Sequence, residues 1–394
     1  MDLLLKNLTW VQESTGHTGD IRIRRGKILD IGSLSAEKKE MVIDLDDHYL
    51  YPGLINSHDH LEMNLYRRMG TPLYNNYTEW ARDVYTPKES PVREIESVDL
   101  KLRLLWGGVK NLISGVTTVI HHNPWHRTLG RSDYPVKVLK NYRWAHSLAF
   151  EKEKKIVSQF PSKASTPFII HIAEGIDEVA KGEVQKLDNL HALLSNTILV
   201  HAVGLTVDDI ARIKDTRASI IWCPSSNLFM FGQTADIGAL KKYTRVGLGT
   251  DSTMTGLSSL FDEMRAAVGS GLATASEVVD MVTRIPSQIF HLPGQQIMKG
   301  ANADFLILPR LRDDYFENLV VTQTQDVTAV FVDGQFRFGD PAIMNELKLE
   351  LWLWKFGHIE KAIACDVSGL IHKIRQQVDP VHLNDNPLWR QIAG

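Results

Sequence analysis

Length, composition and charge describe an ordinary globular chain, long enough for one large barrel and a smaller companion domain. Its 394 residues are 43% hydrophobic and 23% charged, with a formal net charge of -3. This balance gives no electrostatic reason to expect nucleic acid or an anionic membrane as a partner. The two cysteines, Cys223 and Cys365, support neither a disulfide framework nor a cysteine-based zinc site. The first residues also lack the pattern of a signal peptide, so we expect a cytoplasmic protein.

Short strands with tight turns are predicted near both ends of the chain. Residues 21–31 have the pattern of a β-hairpin around Arg25-Gly26, and a later hairpin is predicted across Asp333-Gly334. Neither end has enough strands to bury one face of a sheet. We therefore expect residues 1–50 and 295–340 to form one composite β domain.

The residues between these ends, 51–294, alternate predicted strands and helices, which indicates a parallel α/β barrel. Predicted strands include Leu54-Ile55 and residues 116–120, the latter after a helix over residues 92–114. The segment between Arg143 and Pro167 is too short for an evident strand, helix and next strand. We therefore expect a barrel that is distorted there, without a clear fourth strand.

The last residues, 341–394, predict a helical extension. Leu347, Leu351, Trp354 and Ile359 have roughly helical spacing. Such a segment is expected to pack on the barrel or on a partner subunit, so a homodimer stays open.

His58 and His60 form the most informative motif of the chain. They follow the predicted strand Leu54-Ile55, and residues i and i+2 of a strand point to the same side. Two imidazoles on one side can serve as metal ligands, while Asp59 between them faces away. Alone, this motif is a weak signal in a chain with 15 histidines.

Three further apolar runs end in an ionisable residue. Residues 168–170 lead into His171, residues 197–200 into His201, and residues 246–250 into Asp251. Solidly apolar runs of this kind are typical of parallel strands buried on both faces. In a (β/α) barrel, the carboxyl ends of the strands surround the active site. The ordered set of strand ends therefore favours a metal site.

These motifs, taken in order, resemble the amidohydrolase superfamily, in the branch of the cytosine deaminases, chlorohydrolases and S-adenosylhomocysteine deaminases. The matching stretches are residues 52–60, 115–119, 171–174, 199–201, 223–227 and 249–252. The resemblance spans nearly the whole chain up to about Gly334. It implies a distorted TIM (β/α)8 barrel with a small β-sandwich domain built from both termini. The pair His121-His122 departs from the family, where many relatives have an aspartate.

The resemblance also suggests a role for each strand-end residue. His58, His60, His171 and Asp251 offer three nitrogens and one carboxylate to one divalent metal per chain, with zinc favoured and iron or manganese left open. Glu174 is expected to shuttle a proton, provided that the chain turns after His171. By resemblance, His201 stabilises charge on the reacting oxygen. Asp251 is expected to accept the proton of the attacking water as well as bind the metal.

Substrate contacts are predicted from the loops that follow the strands. We expect the pocket wall to come from residues 65–91 and residues 121–126, whose aromatic and basic side chains suit a planar heterocycle. Candidate substrate-binding residues are Glu62, His122, Trp125, Arg143 and Asn227.

The predicted activity is hydrolysis of a non-peptide C–N bond, with deamination of a small nitrogen heterocycle by metal-activated hydroxide as the main hypothesis. No lysine stands at a predicted strand end between Thr118 and His171, which argues against a binuclear site bridged by a modified lysine. Three alternatives stay open: ring opening of a cyclic amide or imine, as in imidazolonepropionase-like relatives, displacement of chloride or an alkylamine from a triazine-type ring, and a non-catalytic scaffold.

Overall fold

The structure is a computed structural model that describes residues 2–12, 15–292, 296–356 and 359–393. The expected domain boundary between residues 294 and 295 lies outside them. The strands are β1 (Asp2–Gln12), β2 (Thr15–Arg24), β3 (Lys27–Gly32), β4 (Met41–Asp44), β5 (His48–Pro52), β6 (Leu54–Asp59), β7 (Val116–His121), β8 (Lys137–Val138), β9 (Arg143–Ser147), β10 (Phe168–Ile172), β11 (Thr197–His201), β12 (Ser219–Trp222), β13 (Val246–Leu248), β14 (Phe305–Pro309), β15 (Ala329–Val332), β16 (Gln335–Gly339), β17 (Trp352–Phe356) and β18 (Ile359–Ile363).

The helices lie mostly between the strands of the middle part of the chain. They are α1 (Tyr77–Val84), α2 (Val92–Ser97), α3 (Leu100–Leu112), α4 (Glu153–Gln159), α5 (Glu178–Lys181), α6 (Glu183–Asn189), α7 (Val207–Thr216), α8 (Pro224–Phe231), α9 (Ile237–Leu240), α10 (Leu260–Gly269), α11 (Ala275–Val282), α12 (Arg284–Ile289), α13 (Tyr315–Val321), α14 (Pro341–Glu346), α15 (Val367–Arg375) and α16 (Pro387–Ala393). Short 3₁₀ turns lie at Leu61–Met63, Arg127–Gly130, Thr324–Asp326 and Pro380–His382. In the described ranges, no helix has the length and apolarity needed to cross a bilayer.

Strands from both ends of the chain share one mixed sheet. Its order is β17-β18-β16-β15-β14-β5-β1-β2-β3, with β4 paired to β1. The junction is the antiparallel pair β5–β14, in which Leu50 lies opposite Ile307. The apolar side chains beside this junction pack into a core of Leu, Ile and Phe residues.

The two predicted hairpins are confirmed, and their turns touch each other. Arg25 and Gly26 have φ of 52° and 77°, and Asp333 and Gly334 have φ of 48° and 70°. Two successive left-handed residues are the requirement of a tight two-residue hairpin turn. A Cβ added to Gly334 would lie 2.6 Å from the Cα of Gly26, so this contact requires glycine.

Eight strands in the middle of the chain form two parallel sheets. One has the order β6-β7-β8 and the other β13-β12-β11-β10-β9. The sheets adjoin where the Asp251 amide, just after β13, donates to the His58 carbonyl of β6 at 3.1 Å. The ladders of the described strands do not close into a barrel, so the structure supports an α/β barrel-like arrangement and leaves full closure as a prediction.

Two element predictions need correction. Strand β9 occupies the segment in which the sequence predicted no clear strand, because the connection to β10 needs only the short helix α4. The predicted helix over residues 92–114 is divided into α2 and α3 by Asp99, whose side chain caps α3.

The C-terminal extension is not wholly helical. Strands β17 and β18 form an antiparallel hairpin between α14 and α15. Trp352 and Leu353 are exposed whereas Trp354 is buried, and a run rich in aromatic residues favours a strand over the predicted helix. The spacing of Leu347, Leu351 and Trp354 that suggested a helix therefore crosses a helix end and a strand.

Candidate functional site

His58 and His60 project from β6 to the same side, as the strand alternation predicts. Both are buried, and their ring centroids lie 4.9 Å apart. Asp59 points the other way, where its Oδ2 accepts hydrogen bonds from Lys110 Nζ at 3.1 Å and from Asn111 Nδ2 at 2.8 Å. The strand thus separates two imidazoles on one side from a buried carboxylate on the other.

His171 and Asp251 meet these imidazoles from other strand ends. His171 Nε2 lies 3.2 Å from His58 Nε2, and Asp251 Oδ1 lies 3.9 Å from His58 Nε2 and 3.7 Å from His60 Nε2. Ligands about 2 Å from one metal ion are separated by such distances. His58, His60 and Asp251 form one group able to hold a metal ion, and His58, His122 and His171 form another.

The protonation states of the histidines suit metal binding. Burial lowers the pKa of His58 and of His171 well below the ordinary value, so both rings are neutral at pH 7. His171 Nδ1 faces the His146 carbonyl at 2.9 Å and must donate to it, which leaves a lone pair on Nε2. Within the described residues, Nδ1 of His58 and of His60 have no hydrogen-bond partner. The donor set therefore fits a divalent cation, and the side chains support a metal site.

Glu174 and His201 lie beside this cluster. Ala173 has φ of 52°, so the chain turns after His171 as the shared site requires. Glu174 Oε1 lies 3.6 Å from His201 Nε2. Burial, with Asp251 and Glu183 nearby, raises the pKa of Glu174 well above its ordinary value. A carboxyl whose pKa is raised takes up a proton more readily than an exposed one and can release it to a reacting atom.

His201 has a fixed orientation. Its Nδ1 lies 2.9 Å from Asn227 Oδ1, an acceptor, so Nδ1 carries the proton and Nε2 faces Glu174 with a lone pair. Burial lowers the pKa of His201, which keeps the ring neutral. Asn227 therefore orients His201, whereas the sequence suggested that it contacts substrate.

Buried hydrogen bonds to its carbonyl and to its carboxylate hold Asp251 in position. Asp251 has φ of 55°, which is uncommon for a residue with a side chain. Its carbonyl accepts hydrogen bonds from Thr250 Oγ1 at 2.9 Å and from Lys110 Nζ at 3.3 Å. Its Oδ2 accepts from Ser226 Oγ and Thr255 Oγ1, at 2.8 and 2.9 Å. Burial alone would raise its pKa, but His60, His201 and the hydrogen bond from Ser226 keep the pKa of Asp251 below its ordinary value.

A cavity of about 570 Å³ opens over these residues. Its floor includes His60, His171, Glu174, His201 and Asp251. Helix α1 and its neighbour Tyr85, both in the 65–91 insertion, contribute to its wall as the sequence suggested, and residues 121–126 do not line it. The other lining residues are Met63, His146, Phe150, Met230, Ser252, Met254 and Thr255.

His146 is a site residue that sequence reasoning missed. It lies on β9, its ring is 4.8 Å from that of His171, and burial lowers its pKa to about 4. The available signal was a histidine one residue before the end of a strand. That signal was hidden because β9 itself was not recognised.

All five proposed substrate contacts, Asn227 included, lie outside the lining of this cavity. Glu62 accepts a hydrogen bond from Asn123 at 2.7 Å, and His122 packs 4.3 Å from the His171 ring with Nε2 against the Ala145 carbonyl. Trp125 is 38% exposed beneath Lys140. Arg143 begins β9, so it lies at the strand end opposite to the cavity and is exposed.

Comparison with known proteins assigns a family to the part of the chain that contributes His171, Glu174, His201 and Asp251 to this site. Residues 143–337 match the Amidohydrolase family. That segment, just under half of the chain, is an Amidohydrolase family domain. The 5-methylthioadenosine/S-adenosylhomocysteine deaminase of Pyrococcus furiosus is 24% identical, with 88% of this chain and 98% of that protein covered. The 5'-deoxyadenosine deaminase of Methanosarcina mazei is also 24% identical, with 87% and 94% covered.

Solved structures share the fold of this chain. An adenosine deaminase from Xanthomonas campestris with bound zinc has a TM-score of 0.74 at 17% identity, covering 95% of this chain and 97% of that one. A zinc-complexed atrazine chlorohydrolase from Arthrobacter aurescens has a TM-score of 0.73 at 17% identity, covering 95% and 99%. At this identity the two structures show a shared fold, and the family match over residues 143–337 together with the named relatives confirms the resemblance found in the sequence.

Proposed function

We propose that this protein is a metal-dependent aminohydrolase that removes an exocyclic amine, as ammonia, from a nitrogen heterocycle. The observation that carries the proposal is Glu174, a carboxyl kept protonatable by burial and held 3.6 Å from His201 beside the cluster of His58, His60, His171 and Asp251. A leaving amine needs a proton, and Glu174 is suited to provide it. The names of the relatives, all adenosine-type deaminases, support the same chemistry.

In this proposal, His58, His60, His171 and Asp251 hold one divalent ion per chain, zinc in preference to iron or manganese. A divalent ion so bound lowers the pKa of water to about 7 and supplies a nucleophile at neutral pH. His122 is the nearest substitute ligand, because His58 and His171 also form a group with it.

The other residues orient groups and move protons. Asp251 keeps its carboxylate charged and can accept a proton, whereas Glu174 can donate one to the leaving nitrogen. Asn227 holds His201 with its Nε2 toward the reacting centre. The buried floor excludes water and strengthens these interactions. We further propose that the eight parallel strands close into a distorted barrel, and that the mixed sheet of both termini folds into a β-sandwich domain.

The proposal is tested by metal analysis and by ammonia release from a panel of aminopurines, aminopyrimidines and aminopterins. We expect one metal equivalent per chain, loss of ammonia release after chelation, and recovery with Zn²⁺. Two equivalents per chain would contradict the single site. Ring opening without ammonia, or release of chloride from a chlorotriazine, would replace deamination by one of the alternative hydrolase activities.

A further inference from the structure

We propose that the substrate carries an apolar substituent on its ring, an alkyl, aryl or thioether group, and that this substituent lies on a wall of carbon and sulfur above the floor. This inference rests on the proposed function and adds the class of substrate. We call this part of the cavity lining the carbon wall. It consists of Met63, Trp80, Tyr85, Phe150, Met230 and Met254. These residues share the cavity with the floor, so one molecule can contact both.

The polar atoms of this wall are already engaged in hydrogen bonds within the protein. Trp80 Nε1 donates to the Met69 carbonyl at 3.1 Å, and the Tyr85 hydroxyl donates to Glu96 Oε1 at 2.6 Å. The wall therefore presents the faces of these rings, rather than their polar atoms, to a ligand. A ligand hydroxyl buried against such a surface would lose its hydrogen bonds to water without replacement.

Two further polar side chains of the cavity, Tyr77 and Thr255, have internal partners as well. The Tyr77 hydroxyl donates to Glu183 Oε1 at 3.0 Å and accepts from the Ala149 amide at 3.2 Å. Thr255 Oγ1 donates to Asp251 at the floor. A sugar with free hydroxyl groups would find few vacant partners here, whereas an apolar group would not need them.

The three methionines make the wall adaptable. Met230 and Met254 are buried, while Met63 is partly buried and ends the 3₁₀ turn that follows the metal-ligand motif. Methionine fills irregular space and makes favourable contacts with aromatic rings. Trp80, Tyr85 and Phe150 provide such rings in the lining of the same cavity. This composition suits substituents of several shapes better than it suits one polar group.

Arg82 is the cation at the mouth of the cavity and provides the main competing explanation. It is exposed and donates to Thr78 Oγ1 at 3.1 Å. If the substituent ended in an anionic group, that group would pair with Arg82, and contact with the carbon wall would contribute less to binding. The charge of the ligand therefore distinguishes the two explanations.

Binding to the metal-loaded protein tests the inference separately from turnover. Purines that lack the leaving amine are used: 9-benzylpurine, purine riboside, and a benzylpurine with a carboxylate on its benzene ring. We expect 9-benzylpurine to bind at least ~10-fold more tightly than purine riboside, the lower range for apolar discrimination. Tighter binding of the riboside, or of the carboxylate, would overturn the inference. Absence of ammonia from every amine tested would count against the proposed function and not against this binding order.

Substitution of Phe150 locates the effect on the wall. Phe150 is 50% exposed at the mouth, so truncation should leave the fold intact. We expect Phe150→Ala to weaken 9-benzylpurine by roughly 10-fold and to change purine riboside little. Val157→Ala is the matched control, because Val157 is 49% exposed nearby on α4 and does not line the cavity. Met63→Gln, of similar size but polar, should have the same selective effect, and equal weakening of both ligands would refute the inference.

Discussion

The mixed sheet and the floor of the cavity are both buried, yet they are built from opposite chemistry. In the sheet, Leu50 and Ile307 pack among aliphatic side chains, and burial itself is stabilising. Behind the floor, on the other side of β6, Asp59 and Lys110 are buried to a similar degree, and burial of each charge is costly unless the partner is present. The comparison teaches that the mixed sheet stabilises the fold. The polar cluster around the cavity lowers that stability, and in return it holds reactive groups in place.

Loss of the buried lysine should have the largest effect on stability. Lys110→Met leaves Asp59 without its cation, and removal of one partner of a buried ion pair costs ~3–5 kcal/mol. We expect that decrease in the free energy of unfolding, measured by chemical denaturation. The double variant Lys110→Met with Asp59→Asn should recover part of the loss, because no uncompensated charge remains. A single variant as stable as wild type would contradict the pairing.

A cavity in the mixed sheet should destabilise the protein without altering the site. Leu50→Ala removes a fully buried side chain from the β5–β14 junction and should cost about 2–5 kcal/mol. Metal content and kcat of the folded fraction are expected to match wild type, whereas Lys110→Met should lower both. Equal loss of metal in the two variants would remove the distinction between the regions.

The opposite result is expected for Glu174→Gln, which should affect catalysis and spare stability. The amide keeps the shape of the side chain but cannot shuttle a proton, so kcat should fall by at least ~10²-fold. Metal content and the midpoint of unfolding serve as controls and should stay near the wild-type values. Turnover close to wild type would exclude Glu174 as the proton donor.

A smaller, pH-dependent effect is expected from Glu183, which supports the floor. Its carboxyl accepts the Ala173 amide at 2.8 Å, and burial raises its pKa from 4.5 to about 7. The folded state therefore binds this proton more tightly than the unfolded state. Its contribution to stability is full below about pH 4.5 and is lost as the pH rises through about 7, at ~1.4 kcal/mol per pKa unit.

Glu183→Gln should abolish that loss. The difference in unfolding free energy between wild type and variant, measured from pH 4.5 to 8, is expected to move in favour of the variant as the pH rises. A difference that is constant over this range would show that Glu183 does not titrate in the way its burial indicates.

Local patterns predicted the parts of the site that depend on one strand or one turn. The common side of His58 and His60 follows from strand alternation, and the turn after His171 follows from the need to bring Glu174 into the site. Contacts distant in sequence were not readable: Lys110 lies on a helix, and nothing near it in sequence indicates Asp59 as its partner. Arg143 was misplaced because residues at the start of a parallel strand point to the end of the sheet opposite to the cavity.

The junction between β5 and β14 has a consequence for the order of events during synthesis. The N-terminal strands leave the ribosome first, but the partner of β5 emerges only after the whole α/β part of the chain. Until then, one edge of β5 is unpaired, and unpaired strand edges are sites from which chains aggregate. We therefore expect nascent chains that stop before β14 to aggregate through the unpaired edge of β5. In the full-length chain, the same edge stays open for some time, because strands so far apart in sequence pair slowly.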